Sequence, residues 1–125
     1  MPRFVVLHHE TPPGYPRPSH YDLMLEQGQS LRTWALASLP ELGQEEVVAE
    51  ELAPHRLAYL DYEGEVSTGR GQVKRVAAGE YALLEDTTDR FHIRFDRFDN
   101  PQLASEWILT RQPDQPSMWC LTTRT

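Results

Sequence analysis

Apolar and polar residues alternate along much of the chain, and the sharpest case is His20-Tyr21-Asp22-Leu23-Met24-Leu25-Glu26. On an extended backbone Tyr21, Leu23 and Leu25 fall on one side, and His20, Asp22, Met24 and Glu26 on the other. Strict period two with an aromatic predicts a strand with one core face. Gln27-Gly28-Gln29 is a tight-turn candidate. Ser30 to Ala37 then resumes the alternation, with Arg32, Trp34 and Leu36 on one face and Leu31, Thr33 and Ala35 on the other. The two segments read as a hairpin. Trp34 reads as core or rim packing rather than as a platform for a base.

Arg3 to His9 reads as the first strand. Val5, Val6 and Leu7 are too uniformly apolar to say which face His8 and His9 take. Glu10 to Ser19 is a loop, because prolines at 12, 13, 16 and 18 forbid regular pairing. If the first two strands pair antiparallel, this loop brings His9 and His20 together. Leu39 to Gly43 is a break. Gln44 to Leu52 fits either a short helix or an edge strand, with its glutamates on a solvated face and Pro54 ending it. Glu65 to Val73 begins as a loop and passes into a strand. Gln72 to Val76, Gly79 to Glu85, Arg90 to Asp96, Ser105 to Thr110 and Ser117 to Thr122 complete a meander of strand candidates. Asp86 to Asp89 is a polar turn, Asn100-Pro101 starts a break, and Gln112 to Pro116 joins the last two strands.

Composition changes this picture little. Proline is frequent, at 10 of 125 residues, and strongly amphipathic helical windows are scarce. That fits an antiparallel β sandwich or small barrel better than a bundle or a doubly wound sheet. The length predicts one domain, residues 1–125. A single cysteine, Cys120, excludes an intrachain disulfide framework and fits a reducing compartment. The apolar run at the N-terminus is too short for a signal h-region or a membrane span, so a soluble cytoplasmic protein without membrane association is expected. The formal net charge of −7 argues against broad electrostatic adhesion to nucleic acid, but leaves room for local recognition of a strand end.

The candidate chemistry begins at His20 and Asp22. Two residues apart on a strand, they stand about 7 Å apart at their Cα atoms and point the same way. That suits joint coordination of a divalent ion or joint grip on one ligand. His8 and His9 sit at a strand end, where a solvated pair is the plainer reading. His55 and Tyr59 share a face whether their segment is helical or extended. Gly69 and Gly71 flank Arg70 and would allow close backbone approach to a ligand. With Lys74 and Arg75 nearby, this is the main basic spot and a reasonable phosphate contact. The Gly-Lys-Ser/Thr ending of a Walker loop is absent. His92 lies on the polar side of its strand and reads as a surface histidine.

Three ordered blocks resemble the phosphoesterase domain found at the N-terminus of bacterial DNA ligase D. His20-Tyr21-Asp22-Leu23-Met24-Leu25-Glu26, followed by Leu31-Arg32-Thr33-Trp34-Ala35-Leu36, is similar to that family's HYDFRLE and LKSWAVP. His55, Leu57 and Tyr59 before Asp61-Tyr62-Glu63-Gly64 resemble its second signature, and Phe4-Val5-Val6 with His9 resembles FVVQKH. The resemblance covers roughly residues 3 to 75. It implies a mainly β protein, a compact antiparallel β-barrel with little helix. It also implies a manganese-dependent 3′-phosphoesterase that acts on nucleic-acid 3′ ends in repair, removing a terminal ribonucleoside and then the 3′-phosphate. By the same matching His9, His20 and Asp22 are the metal ligands, and His55 and Tyr59 lie beside the scissile phosphate. Manganese comes from the resemblance alone, since the ligand set by itself also suits zinc or iron.

The chain departs from the family at Met24, which stands where the family has a phosphate-contacting arginine. Arg32 or Arg70 is the expected replacement. The loop between His9 and His20 is longer than in the family, and the acidic segment before His55 lacks the family's basic residues. Ligase and polymerase would be separate proteins. Two other readings stand beside the enzyme: a non-catalytic module that binds a metal or a nucleic-acid end, and a plain β-barrel interaction domain whose histidines are structural.

Overall fold

The alternation becomes nine strands in the computed structural model, which describes residues 2–40, 46–67 and 69–124. They are β1 (Arg3–Glu10), β2 (His20–Gln27), β3 (Ser30–Leu36), β4 (Val47–Arg56), β5 (Gly64–Glu65), β6 (Gln72–Asp86), β7 (Arg90–Phe98), β8 (Glu106–Gln112) and β9 (Gln115–Arg124). A single 3₁₀ turn, Leu57–Leu60, is the only helical element among the described residues. Every pairing is antiparallel. The order β1-β2-β3-β4-β9-β8-β7-β6 returns to β1, so eight strands close a barrel and the two-residue β5 adds to the side of β6. Closure leaves no long open edge in the wall.

The interior receives the apolar face of all eight barrel strands. Phe4, Leu23, Trp34, Ala49, Tyr81, Phe91, Trp107 and Trp119 are among its buried members. Trp34 is fully buried, as its alternation predicts. The Tyr81 hydroxyl donates to the Glu26 carbonyl at 2.8 Å, and burial pushes its pKa up to about 12, so it remains a donor at physiological pH.

The opposite face of β1, β2 and β3 is covered as well. Val5, Leu7, Met24, Leu31, Leu60, Val66 and Val73 form a second, smaller core outside the barrel wall, beneath the 3₁₀ turn and the segment after β5. The expectation of one core face for His20–Glu26 therefore needs correction. Both faces of β2 are buried along most of its length, and His20 and Asp22 are themselves buried. The period-two pattern hides this because Met24, an outer-core residue, alternates in step with the polar His20, Asp22 and Glu26.

Two boundaries also differ. Gln72–Val76 and Gly79–Glu85 are a single strand, β6, whose first half pairs with β1 and second half with β7. β4 runs through Pro54 to Arg56, paired with β3 and β9, so it is part of the barrel wall and neither a helix nor an edge. Pro54 is tolerated because the register shifts there: Ala53 and Pro54 together stand opposite Arg32. A bulge removes the need for a ladder donor. Gln44 and Glu45, the start of that expected segment, lie outside the described residues.

The long β6 turns from one neighbour to the other at Gly79, which is paired with both Phe4 and Phe98. A Cβ there would stand 1.6 Å from the Arg97 carbonyl oxygen, so only glycine permits this approach. Gly79→Ala is expected to lower unfolding stability by about 1–3 kcal/mol or more through forced backbone movement. Denaturant unfolding of the variant checks this, and an unchanged midpoint would contradict the close approach.

Candidate metal centre

The β1–β2 pairing places His9 directly opposite His20, with Asp22 two residues further on the same face. The proline-rich loop between them thus returns the chain in register, and Thr11 N–H donates to Ser19 Oγ at 3.0 Å across its mouth. Side-chain ligand atoms of His9, His20 and Asp22 all lie within 4.8 Å of one another. His20 Nε2 is 3.1 Å from Asp22 Oδ1, and His9 Nδ1 is 3.8 Å from Asp22 Oδ2. Two ligands on one ion, at bonds of about 2.0–2.2 Å, span similar distances.

The protons on these rings are set by backbone carbonyls. His20 Nδ1 donates to the Pro18 carbonyl at 2.9 Å, and His9 Nε2 donates to the Arg70 carbonyl at 2.8 Å. The free lone pairs are then His20 Nε2 and His9 Nδ1, and both face the Asp22 carboxylate. With His20 neutral, Asp22 Oδ1 is buried and has no hydrogen-bond donor among the described residues. A buried carboxylate oxygen opposed by an imidazole lone pair requires a positive charge between them. A divalent cation supplies it, and so does a second proton on His20. Burial pulls the His20 pKa down, but the hydrogen bond and charge of Asp22, with the Pro18 carbonyl, outweigh it and raise the pKa above its ordinary value. Carbonyl-oriented imidazoles beside a carboxylate are the usual surroundings of a metal ligand set.

These residues line a cleft of about 350 Å³ on the outer wall of the barrel. His55, at the end of β4, and Tyr59, on the 3₁₀ turn, line it too, with ring centroids 5.8 Å apart. His55 Nδ1 donates to the Ala53 carbonyl at 2.9 Å, which leaves Nε2 for a ligand. Arg70 also lines the cleft. Of the close approaches expected at its flanking glycines, that at Gly69 is absent, since a Cβ on it would meet nothing within 4 Å. Only that at Gly71 is present, and it is to protein: a Cβ there would stand 1.9 Å from the Glu10 carbonyl oxygen. That contact brings the Arg70 carbonyl to His9.

Arg32 is elsewhere, and its expected phosphate contact is corrected. It does not line the cleft. It lies on the interior face of β3, over the rings of Trp34 and Phe91 at 4.6 and 4.7 Å, with Nε donating to Glu51 at 2.8 Å. The alternation that placed it with Trp34 and Leu36 carried this answer, since those residues face the barrel interior. Met24 is buried in the outer core and packs against apolar neighbours. His8 stacks on Tyr21, and His92 pairs with Glu106 at 2.8 Å, so neither joins the cluster.

Arg17, Tyr15 and Arg56 line the cleft without having been singled out from the sequence. Arg17 lies in the proline-rich loop, where no periodicity indicates direction. Its guanidinium donates to Glu50 at 2.8 Å and holds that carboxyl below its ordinary pKa.

A closed antiparallel barrel whose outer wall carries a two-histidine, one-carboxylate group able to hold a divalent ion is the class of protein that the fold and site define. The model of the family described as "DNA Ligase D 3'-phosphoesterase domain" matches residues 8–111, and the chain belongs to that family. No curated protein matches the chain. No helix among the described residues is long and apolar enough to cross a membrane.

The charge requirement gives a pH dependence. A raised His20 pKa means that the protonated ring stabilises the metal-free fold fully below the ordinary value of 6.5. That contribution is lost as pH rises through the folded-state value. A metal needs the neutral ring, so proton and metal compete. The rise in melting temperature on adding manganese is therefore expected to be small near pH 5.5 and to grow towards pH 8. A rise that is constant across that range would contradict imidazole ligation.

Proposed function

We propose that the protein is a metal-dependent 3′-phosphoesterase, with manganese as its ion, that trims nucleic-acid 3′ ends for repair. The observation that carries this reading is the common cleft: the carbonyl-oriented His9, His20 and Asp22 share it with His55, Tyr59 and Arg70. A divalent ion held by the first three would supply Lewis-acid polarisation of a phosphoryl group.

The chain's own groups have the following roles in the proposal. Arg70 binds a non-bridging phosphoryl oxygen by a charge-assisted hydrogen bond. Arg17, on the proline-rich loop, provides a second guanidinium in the same cleft, in place of the arginine that Met24 replaces. In its imidazolium form His55 carries a second proton at Nε2, its Nδ1 proton being committed to the Ala53 carbonyl. It neutralises charge on the phosphoryl group or gives that proton to the leaving oxygen. Tyr59 donates its hydroxyl to the same phosphoryl group and orients it. The substrates are a strand ending in a ribonucleoside and a strand ending in a 3′-phosphate, and the product is a 3′-hydroxyl usable by a polymerase or ligase.

One observation favours a second reading. Met24 is packed into the outer core, so the position that carries the family's arginine here serves packing. A module that holds a metal and a 3′ end without turnover would retain everything else in the cleft.

A labelled primer–template ending in one ribonucleotide, and another ending in a 3′-phosphate, separate the two. With manganese both are expected to be trimmed to a 3′-hydroxyl. Chelator abolishes the product, Asp22→Ala lowers it by more than about 100-fold, and His55→Ala by roughly 100- to 10,000-fold. Absence of product from protein that demonstrably binds manganese would reject the enzyme and leave the binding module.

A further inference from the structure

Beside the cleft lies a second recess of about 230 Å³. Arg56, Tyr59, Val66 and Arg70 belong to both linings, so the two recesses share a wall. Tyr62, Glu65 and Ser67 line only the smaller one. The rings of His55, Tyr59 and Tyr62 follow one another from the cleft into this recess. Successive centroids are 5.8 and 5.9 Å apart, at interplanar angles of 66° and 88°. Tyr62 is exposed over 39% of its surface, yet its orientation is set, because its hydroxyl donates to the Glu65 carbonyl.

We propose that this recess receives the base of the nucleoside attached to the reacting phosphate, and hence that the protein prefers unpaired 3′ ends. The inference rests on the phosphoesterase reading of the neighbouring cleft. A phosphate held there against Arg70 has its own nucleoside at the shared wall. Beyond that wall the recess is lined by the aromatic ring of Tyr62 together with Glu65 and Ser67. Aromatic side chains hold bases of any sequence by stacking. Glu65 disfavours a second phosphate at this place and can accept from a base amino group. The arginines stand where the recess meets the cleft, which suits a phosphate at the boundary and a base beyond it. A base seated in a protein recess has left the stack of a duplex, so a paired end must first be opened. The acidic chain, with a formal net charge of −7, suits a few local contacts rather than a duplex track.

The test is the anisotropy of a 5′-labelled single-stranded oligonucleotide ending in a 3′-phosphate, titrated with the full chain in chelator so that no turnover occurs. Wild-type protein is expected to bind it roughly 5- to 150-fold more tightly than the same strand with an abasic last nucleoside, from about 1–3 kcal/mol of stacking. Tyr62→Ala is expected to erase that difference and Tyr62→Phe to keep it, since the ring and not the Glu65 hydrogen bond carries the effect. Pairing the last base in a duplex weakens binding. Equal binding of base-bearing and abasic strands overturns the proposal, and so does a Tyr62→Phe that behaves like Tyr62→Ala. Trimming of the same strands with manganese is scored separately. Trimming indifferent to the last base rejects the recess and leaves the activity. Base-dependent binding without trimming rejects the activity and leaves the recess as an end-binding site.

Discussion

Two backbone carbonyls determine the character of the centre. By taking the Nδ1 proton of His20 and the Nε2 proton of His9, Pro18 and Arg70 turn both imidazole lone pairs towards one carboxylate. The resulting arrangement, with His20 Nε2 3.1 Å from Asp22 Oδ1, is stable in a buried site only with a positive charge between the groups, either a divalent cation or a second proton on His20. Both carbonyls come from irregular chain: the proline-rich loop and the glycine-flanked turn before β6. The barrel contributes the rigid part, a register in which His9 faces His20. The centre thus depends on loops holding protons and strands holding distances.

The second core outside the wall explains why this centre lies on the barrel's outer surface and is nevertheless buried. Val5, Leu7, Met24 and Leu31 give the outer face of the first three strands an apolar floor. Leu60 and Val66 seat the segment between β4 and β6 upon it. That segment carries Tyr59, Tyr62 and Arg70 to the same edge as the strands that bear His9, His20 and Asp22. Met24 has its place in this arrangement. Its thioether packs among these apolar neighbours, and Arg17 and Arg70 reach the cleft from loops instead.

The strand sequence, the β2–β3 hairpin and the His20/Asp22 pairing were legible because period-two alternation states directly which residues share a face. His9 was legible only conditionally, since Val5-Val6-Leu7 alternates with nothing and the antiparallel return of the chain had to be assumed. Four features were hidden for physical reasons. Met24 belongs to an apolar face that a binary pattern counts as polar. Pro54 sits in a bulge, where its missing donor costs nothing. β6 is one strand with two partners, a change that only Gly79 signals. Arg17 lies in a loop whose direction is set by packing against β4, and no local pattern records that. Arg32 shows the converse case: its alternation with Trp34 groups it with a residue of the interior face, while the phosphate contact expected of it answered the loss of an arginine at Met24 and had no pattern behind it.

The measurement that bears most directly on this account is electron spin-echo spectroscopy of manganese bound to the protein. The account predicts one tight ion per chain with modulation from two imidazole nitrogens. Asp22→Ala should weaken that binding, and His9→Ala should remove one nitrogen while the other remains. Manganese that binds with no nitrogen modulation, or equally well after Asp22→Ala, would mean that the carbonyl-oriented cluster is not a metal centre.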